Sequence, residues 1–156
     1  MRSILTGLIL LITLLACSQV QARQYQQGQV SLGEQSFRVA VANDHGKRSR
    51  GLMFVQNLPE DAGMLFVFPD SQHRLFWMKN TVVELDILYF DENRRLLNIQ
   101  RAVPCRRDPC PHYPSRGRAR YVLEINAGLS ERFGFQRGMV LEIDVEQALL
   151  EQGYRE

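Results

Sequence analysis

Apolar residues between Phe37 and Val145 come in short runs, each halted by glycine, proline, asparagine or aspartate. That punctuation excludes long helices and admits short strands. Val30 to Leu32 and Phe37 to Ala42 flank Gly33-Glu34-Gln35, a hairpin signal. In the second run Phe37, Val39 and Val41 alternate with Arg38, Ala40 and Ala42, so one face is buried. Asn43 or Asp44 can cap a short helix reaching about Met53. Gly63 to Phe68 is continuously apolar and ends at Pro69-Asp70, as a fully buried strand would. Arg74 to Met78, Leu85 to Phe90, Arg95 to Arg101, Arg120 to Ile125 and Met139 to Val145 complete the strands. Residues 102–118 read as a long loop, Leu129 to Phe133 as one helical turn stopped by Gly134, and 147–156 as a polar tail. The sum is a mainly β fold: a small β-sandwich or partly open barrel with one or two short helices.

The N-terminus has a different composition. Arg2 precedes the apolar run Ile4 to Ala16, which at about 1.5 Å per residue spans roughly 20 Å, short of the ~30 Å hydrocarbon core. Residues 1–22 therefore read as a secretion signal, 23–28 as a polar tether and 29–146 as a single domain. Two cleavage sites compete. Leu14-Leu15-Ala16-Cys17 fits a lipobox in which Cys17 is lipidated, and Val20-Gln21-Ala22 fits an ordinary small-residue site. The expected location is the periplasm, soluble or lipid-anchored.

Either cleavage leaves Cys105 and Cys110 as the sole pair, and an even pair in an oxidising compartment reads as a disulfide. The alternatives are a metal site shared with His112, or Cys105 as a nucleophile. Met53, Met64, Met78 and Met139 with His73 offer soft-metal ligands, although methionines among Leu and Phe more commonly fill a core. No cofactor is expected. No Gly-x-Ser-x-Gly, His-Glu-x-x-His or phosphate-cradling glycine loop occurs. Glu84 and Asp86 alternate onto one strand face, a spacing that would suit a hydrolase or transferase, or partners for Arg50 and Lys79.

Phe76-Trp77-Met78-Lys79-Asn80-Thr81 sets an aromatic, a cation, an amide and a hydroxyl at a strand end. Such a cluster suits a sugar or small anion, with Arg50, Trp77, Lys79, Asn80, Thr81 and Asp86 as the candidate ligand residues. The bland alternative makes Trp77 core, Asn80-Thr81 a turn and Lys79 the partner of Asp86. From Arg94 to Arg120 eight arginines face one acid, Asp108, in a chain whose formal net charge is +2. Arg101, Arg106, Arg107, Arg116 and Arg118 are the candidate electrostatic surface. Its expected partner is an envelope glycan, an anionic lipid or an acidic envelope protein. Nucleic acid is excluded for an exported chain, and membrane contact is expected only through a lipid anchor.

Arg50-Gly51-Leu52-Met53, Gly63-Met64-Leu65-Phe66, Trp77-Met78-Lys79-Asn80-Thr81, Leu85-Asp86, Leu123-Glu124 and Ala127-Gly128 occur in this order over residues 37–145. In them the chain resembles the domain of unknown function 192 family. That family carries a proline before the Leu-Asp pair, where Glu84 stands here. The resemblance implies a compact, mainly β, sandwich-like fold and frequent export. It implies no catalytic residues, since none are established for the family. The expectation is a non-enzymatic binding module of the cell envelope.

Overall fold

A computed structural model describes residues 25–151. The segment read as a secretion signal, both candidate cleavage sites and Cys17 lie outside the described residues. Seven strands form one sheet: β1 (Gln26–Leu32), β2 (Gln35–Ala42), β3 (Ala62–Trp77), β4 (Leu85–Phe90), β5 (Leu96–Ala102), β6 (His112–Asn126) and β7 (Leu141–Asp144). Three short helices accompany them: α1 (His45–Arg50), α2 (Leu129–Arg132) and α3 (Gln147–Glu151).

The strand order is β5-β4-β6-β3-β2-β1-β7. The sheet is not closed into a barrel by a continuous ladder, yet its edges touch. Arg95 and Val140 form an antiparallel bridge, with Leu96 N–H donating to the Met139 carbonyl at 2.8 Å. The result is a mainly β fold coiled into a partly open barrel. One buried cluster draws on every strand, including Val30, Phe37, Val39, Leu65, Leu88, Leu96, Leu123 and Leu141. The alternate residues Met64, Phe66, Ile87, Tyr89 and Val122 form a second cluster on the opposite face. Period-two side chains with both faces buried explain why the central strands read as continuous apolar runs.

All pairings but one are antiparallel. β2 and β3 run parallel, from Arg38↔Ala62 to Ala42↔Phe66. A parallel pair needs a crossover, and residues 43–61 supply it, laying α1 and the turn after it over the second cluster. Asp44 caps α1, accepting from Lys47 N–H at 2.7 Å, as the sequence predicts.

The helix expected to reach about Met53 stops at Arg50, where Gly51 ends it, and β7 spans Leu141–Asp144 within the expected Met139 to Val145; four larger differences follow. β1 starts inside the segment read as a tether, because Gln26 to Gly28 pair with β2 from Val41 to Val39. The two runs 63–68 and 74–78 are one strand, β3, which passes through Pro69 where its register against β6 shifts between Val67 and Gln72. No ladder donor is required at that irregularity, so proline is tolerated. The loop read as 102–118 shrinks to 103–111, because Trp77, Phe76 and Leu75 pair with His112, Tyr113 and Pro114. That pairing is remote in sequence, and the local prolines conceal it. The tail begins with α3, whose Leu149 is buried against the first cluster.

Candidate functional site

Arg50-Gly51-Leu52-Met53, Gly63-Met64-Leu65-Phe66, Trp77 to Thr81 and Glu124 meet at the crossover. Gly51 has φ of 48°, and a Cβ there would come within 3.3 Å of the Phe66 ring. Glycine is therefore required between Arg50 and the buried Leu52. At Gly63 a Cβ would stand 2.5 Å from the Glu124 carbonyl, so β3 and β6 can approach there only without a side chain. Asn80 adopts φ of 55°, a conformation asparagine tolerates, and turns the chain after the buried Met78. Its carbonyl accepts from Phe54 N–H at 2.8 Å, locking the turn after α1 to the turn after β3. Phe54 itself has φ of 65°, which is strained for a bulky residue, and it is 60% exposed.

The locked turns wall two cavities. The larger, about 470 Å³, is lined by Tyr25, Arg38, Ala40, Arg50, Leu52 to Val55, Leu58 and Met64, among others. Most of this lining is apolar. Arg38 is committed to Asp61, with Nη2 at 2.9 Å from Oδ1. The Arg50 guanidinium has no hydrogen bond or ion pair among the described residues, though its charge lowers the Tyr25 pKa against the larger, opposing effect of burial. The Tyr25 hydroxyl is buried and has no hydrogen-bond partner among the described residues.

The smaller cavity, about 40 Å³, lies on the other side of the turn and is lined in part by Leu52, Phe66, Phe76, Trp77, Thr81 and Glu124. Glu124 is 4% exposed, and burial pushes its carboxyl up to about 8. Burial, with the Glu124 charge adding to it, also pushes the Tyr89 phenol up; its hydroxyl donates to the Tyr113 carbonyl at 2.6 Å. The rings stack edge to face, Phe66 on Phe76 at 5.0 Å and Phe76 on Tyr89 at 5.8 Å. In the sequence Glu124 stands out only as part of a family motif. The signal that could have found it is an acid inside the apolar run Tyr121 to Ile125, where both faces of the strand are buried.

The structure thus brings Arg50, Trp77 and Thr81 to one cavity and disperses the other candidates. Trp77 is 48% exposed and is not core. Lys79 Nζ pairs with Asp108 at 2.6 Å rather than with Asp86. Asp86 is 2% exposed, and its Oδ2 accepts from Gly128 N–H at 2.9 Å, Ser130 N–H at 3.0 Å and the Ser130 hydroxyl. Glu84, which is exposed, lies 3.7 Å from Arg101. The two acids therefore face different surroundings and are not a working pair. Cys105 and Cys110 are disulfide-bonded, as expected, so their sulfurs are neither thiolate ligands nor a free nucleophile. Met64 and Met78 pack in the second cluster and Met139 against the first, on opposite faces of the sheet, and His73 is exposed.

The arginines do not form one face. Arg101, Arg106 and Arg107 are exposed near Glu84, at the Leu85 end of β4, where Leu85 pairs with Ala102. Arg118 lies at the opposite end, beside Asp91 and Glu92 around a separate hollow, and its Nε donates to the Ser71 carbonyl at 3.0 Å. Arg116 is exposed on the same side, its N–H bound by Asn98. Along β5, Arg101 stands three to four residues, about 10–13 Å, from Asn98 and Leu97, beside which Arg116 and Arg118 lie, a separation somewhat beyond a Debye length at physiological salt.

Comparison with known proteins agrees with this fold. A crystal structure from Sinorhizobium meliloti, described as a candidate transcription regulator, superposes with a TM-score of 0.71 at 34% identity, covering 76% of this chain and 95% of that one. A protein of unknown function from Novosphingobium aromaticivorans gives 0.68 at 34% identity, covering 76% and 84%. A UPF0127 protein of Thermococcus sibiricus is 27% identical over 116 residues, 70% of this chain and 68% of that one. The model of the DUF192 family, described as an uncharacterised ACR, matches residues 28–143, and the chain belongs to that family.

Proposed function

We propose that this chain is an exported, non-enzymatic binding module that holds a small amphipathic carboxylate in the ~470 Å³ cavity beside α1. One observation carries the reading. An apolar cavity of ligand size has an uncommitted guanidinium, Arg50, and an unpaired hydroxyl, Tyr25, on its lining. A hydrocarbon body would cover Leu52, Val55, Leu58 and Met64, while a carboxylate would accept from Arg50 and Tyr25. This moves the ligand from the Trp77–Thr81 stretch to the crossover, because Lys79 is occupied by Asp108 and Asn80 serves the turn. An extracytoplasmic setting is supported by the N-terminal apolar run and by the Cys105–Cys110 bond. An acidic partner would meet two separate arginine groups rather than one continuous surface, so a broad polyanion is a poorer fit.

Calorimetric titration with octanoate, and with octanol as the uncharged control, tests this reading. Octanoate should bind at least about 10-fold more tightly than octanol, and Arg50→Gln should remove that difference. Equal binding of the two, or octanoate affinity unchanged in Arg50→Gln, would overturn it.

A further inference from the structure

Three loops stand side by side at one end of the sheet. Phe54 N–H donates to the Asn80 carbonyl, and Cys105 N–H donates to the Met78 carbonyl at 3.3 Å, so residues 51–58, 78–84 and 103–111 are tied together. Four of the six exposed large hydrophobics among the described residues gather here: Phe54, Val82 and Val103 on the loops, and Trp77 at the end of β3 beside them. Apolar side chains scattered singly over a surface are ordinary, but a cluster of them marks a contact surface. The free charge at this end has one sign. Asp108 is held by Lys79, and Glu84 lies 3.7 Å from Arg101. Behind residues 51–58, Asp61 and Glu60 are held by Arg38 and Arg132. Arg106 and Arg107 are exposed beside Val103, line one open hollow with it, and have no ion pair among the described residues. The N-terminal side of the chain arrives at the same place. Tyr25, the first described residue, shares a cavity lining with Phe54, so the chain carrying the apolar run Ile4 to Ala16 joins the domain beside this end.

We propose that this end docks on an anionic lipid bilayer, with Phe54, Trp77, Val82 and Val103 entering the headgroup boundary and Arg106 and Arg107 pairing with lipid phosphates. A bilayer is apolar within and anionic at its surface, which matches apolar tips flanked by free guanidinium groups. Tryptophan is the side chain that favours this boundary, with its ring in the acyl region and its N–H toward water. A soluble polyanion would meet the arginines and leave the apolar tips in water. The contact adds to the lipid anchor that Cys17 would provide: eight residues separate Cys17 from Tyr25, at most about 29 Å of chain, so an anchored domain would lie within reach of the bilayer. The surface shares Phe54 with the rim of the ~470 Å³ cavity, so the two readings are told apart by their arginines. Octanoate binding turns on Arg50, and docking turns on Arg106 and Arg107.

The test mixes the full chain with vesicles of phosphatidylcholine, alone or with about 30% phosphatidylglycerol. It reads Trp77, the single tryptophan, by its emission maximum and by quenching from brominated acyl chains. The probe sits on the proposed face, so attachment through the N-terminal run alone leaves it in water and unquenched. Trp77 should shift to the blue and be quenched on the phosphatidylglycerol vesicles and not on phosphatidylcholine, and about 0.5 M salt should weaken the effect. Arg106→Gln with Arg107→Gln should lose at least about half of the quenching. Arg116→Gln with Arg118→Gln removes the same charge from the other arginine group and should keep most of it. All four arginines are exposed, so neither pair of substitutions touches the core. An unshifted and unquenched Trp77 on the anionic vesicles, equal quenching on both kinds of vesicle, or equal losses in the two double variants would each overturn the proposal.

Discussion

Ser130 donates both its backbone N–H and its hydroxyl to one oxygen of Asp86, 44 residues earlier in the chain. Gly128 N–H joins them at 2.9 Å. Asp86 thereby acts as the N-terminal cap that α2 lacks locally, since Gly128 at the cap position has no side chain to offer. The same contact pins α2, with its buried Leu129, against the first cluster. Asp86→Ala would leave two buried donors and one part-buried donor unpaired, and it should cost about 1–3 kcal/mol in urea unfolding. A change near zero would show that water replaces the carboxylate and that Asp86 is not structural.

Glu124 makes a prediction in pH. Its folded pKa, about 8, lies above the ordinary value of 4.5, so the folded state holds the proton more tightly. Its contribution to stability is fully present below about pH 4.5 and is lost as pH rises to about 8. Asp61 and Asp70 act in the opposite sense, because hydrogen bonds from Arg38 and Arg74 hold them below 3.8; their contributions fade only in more acidic solution. Stability should therefore decline between about pH 5 and about pH 8, and Glu124→Gln should flatten that slope. Unfolding midpoints across this range check it. An identical slope in the variant would assign the decline to other groups.

Cys105 and Cys110 close a short loop that also carries Asp108, the partner of Lys79. Reducing the bond, or replacing both cysteines with serine, should lower stability by about 2 kcal/mol through the entropy of a loop this size. A much larger loss, in thermal melts with and without reductant, would mean that the bond also holds the buried side of Cys110 against the sheet.

Two glycines separate close approach from backbone freedom. Gly63→Ala would drive a Cβ to 2.5 Å from the Glu124 carbonyl, a backbone atom that cannot rotate away. Gly134 has open space around it, and only its φ of 66° resists a side chain. Gly63→Ala should cost about 1–3 kcal/mol or more, and Gly134→Ala about 1 kcal/mol. Equal costs would show that β3 and β6 shift apart easily beside the candidate site.

Much of this protein follows from local sequence. Alternating Phe37, Val39 and Val41 set a strand face, Asp44 caps α1, and two remaining cysteines make a pair. Period-two burial, capping and cysteine pairing each depend on residues near in sequence or on simple counting, so they are legible without coordinates. Tertiary structure decided what depends on distant partners. The first half of β6 is a strand only because β3 continues past Pro69 to pair with it. Asp86 is structural only because Ser130 arrives beneath it. The arginines from 94 to 120 form one block in sequence but two groups in space, since β5 with the Cys105–Cys110 loop holds one group and the start of β6 the other. Glu124 gains its character from Phe66, Phe76 and Trp77, which the parallel β2–β3 crossover and the long β3 bring around it. Pairing across the sheet is fixed by the whole set of strands at once, and no window of local sequence contains that information.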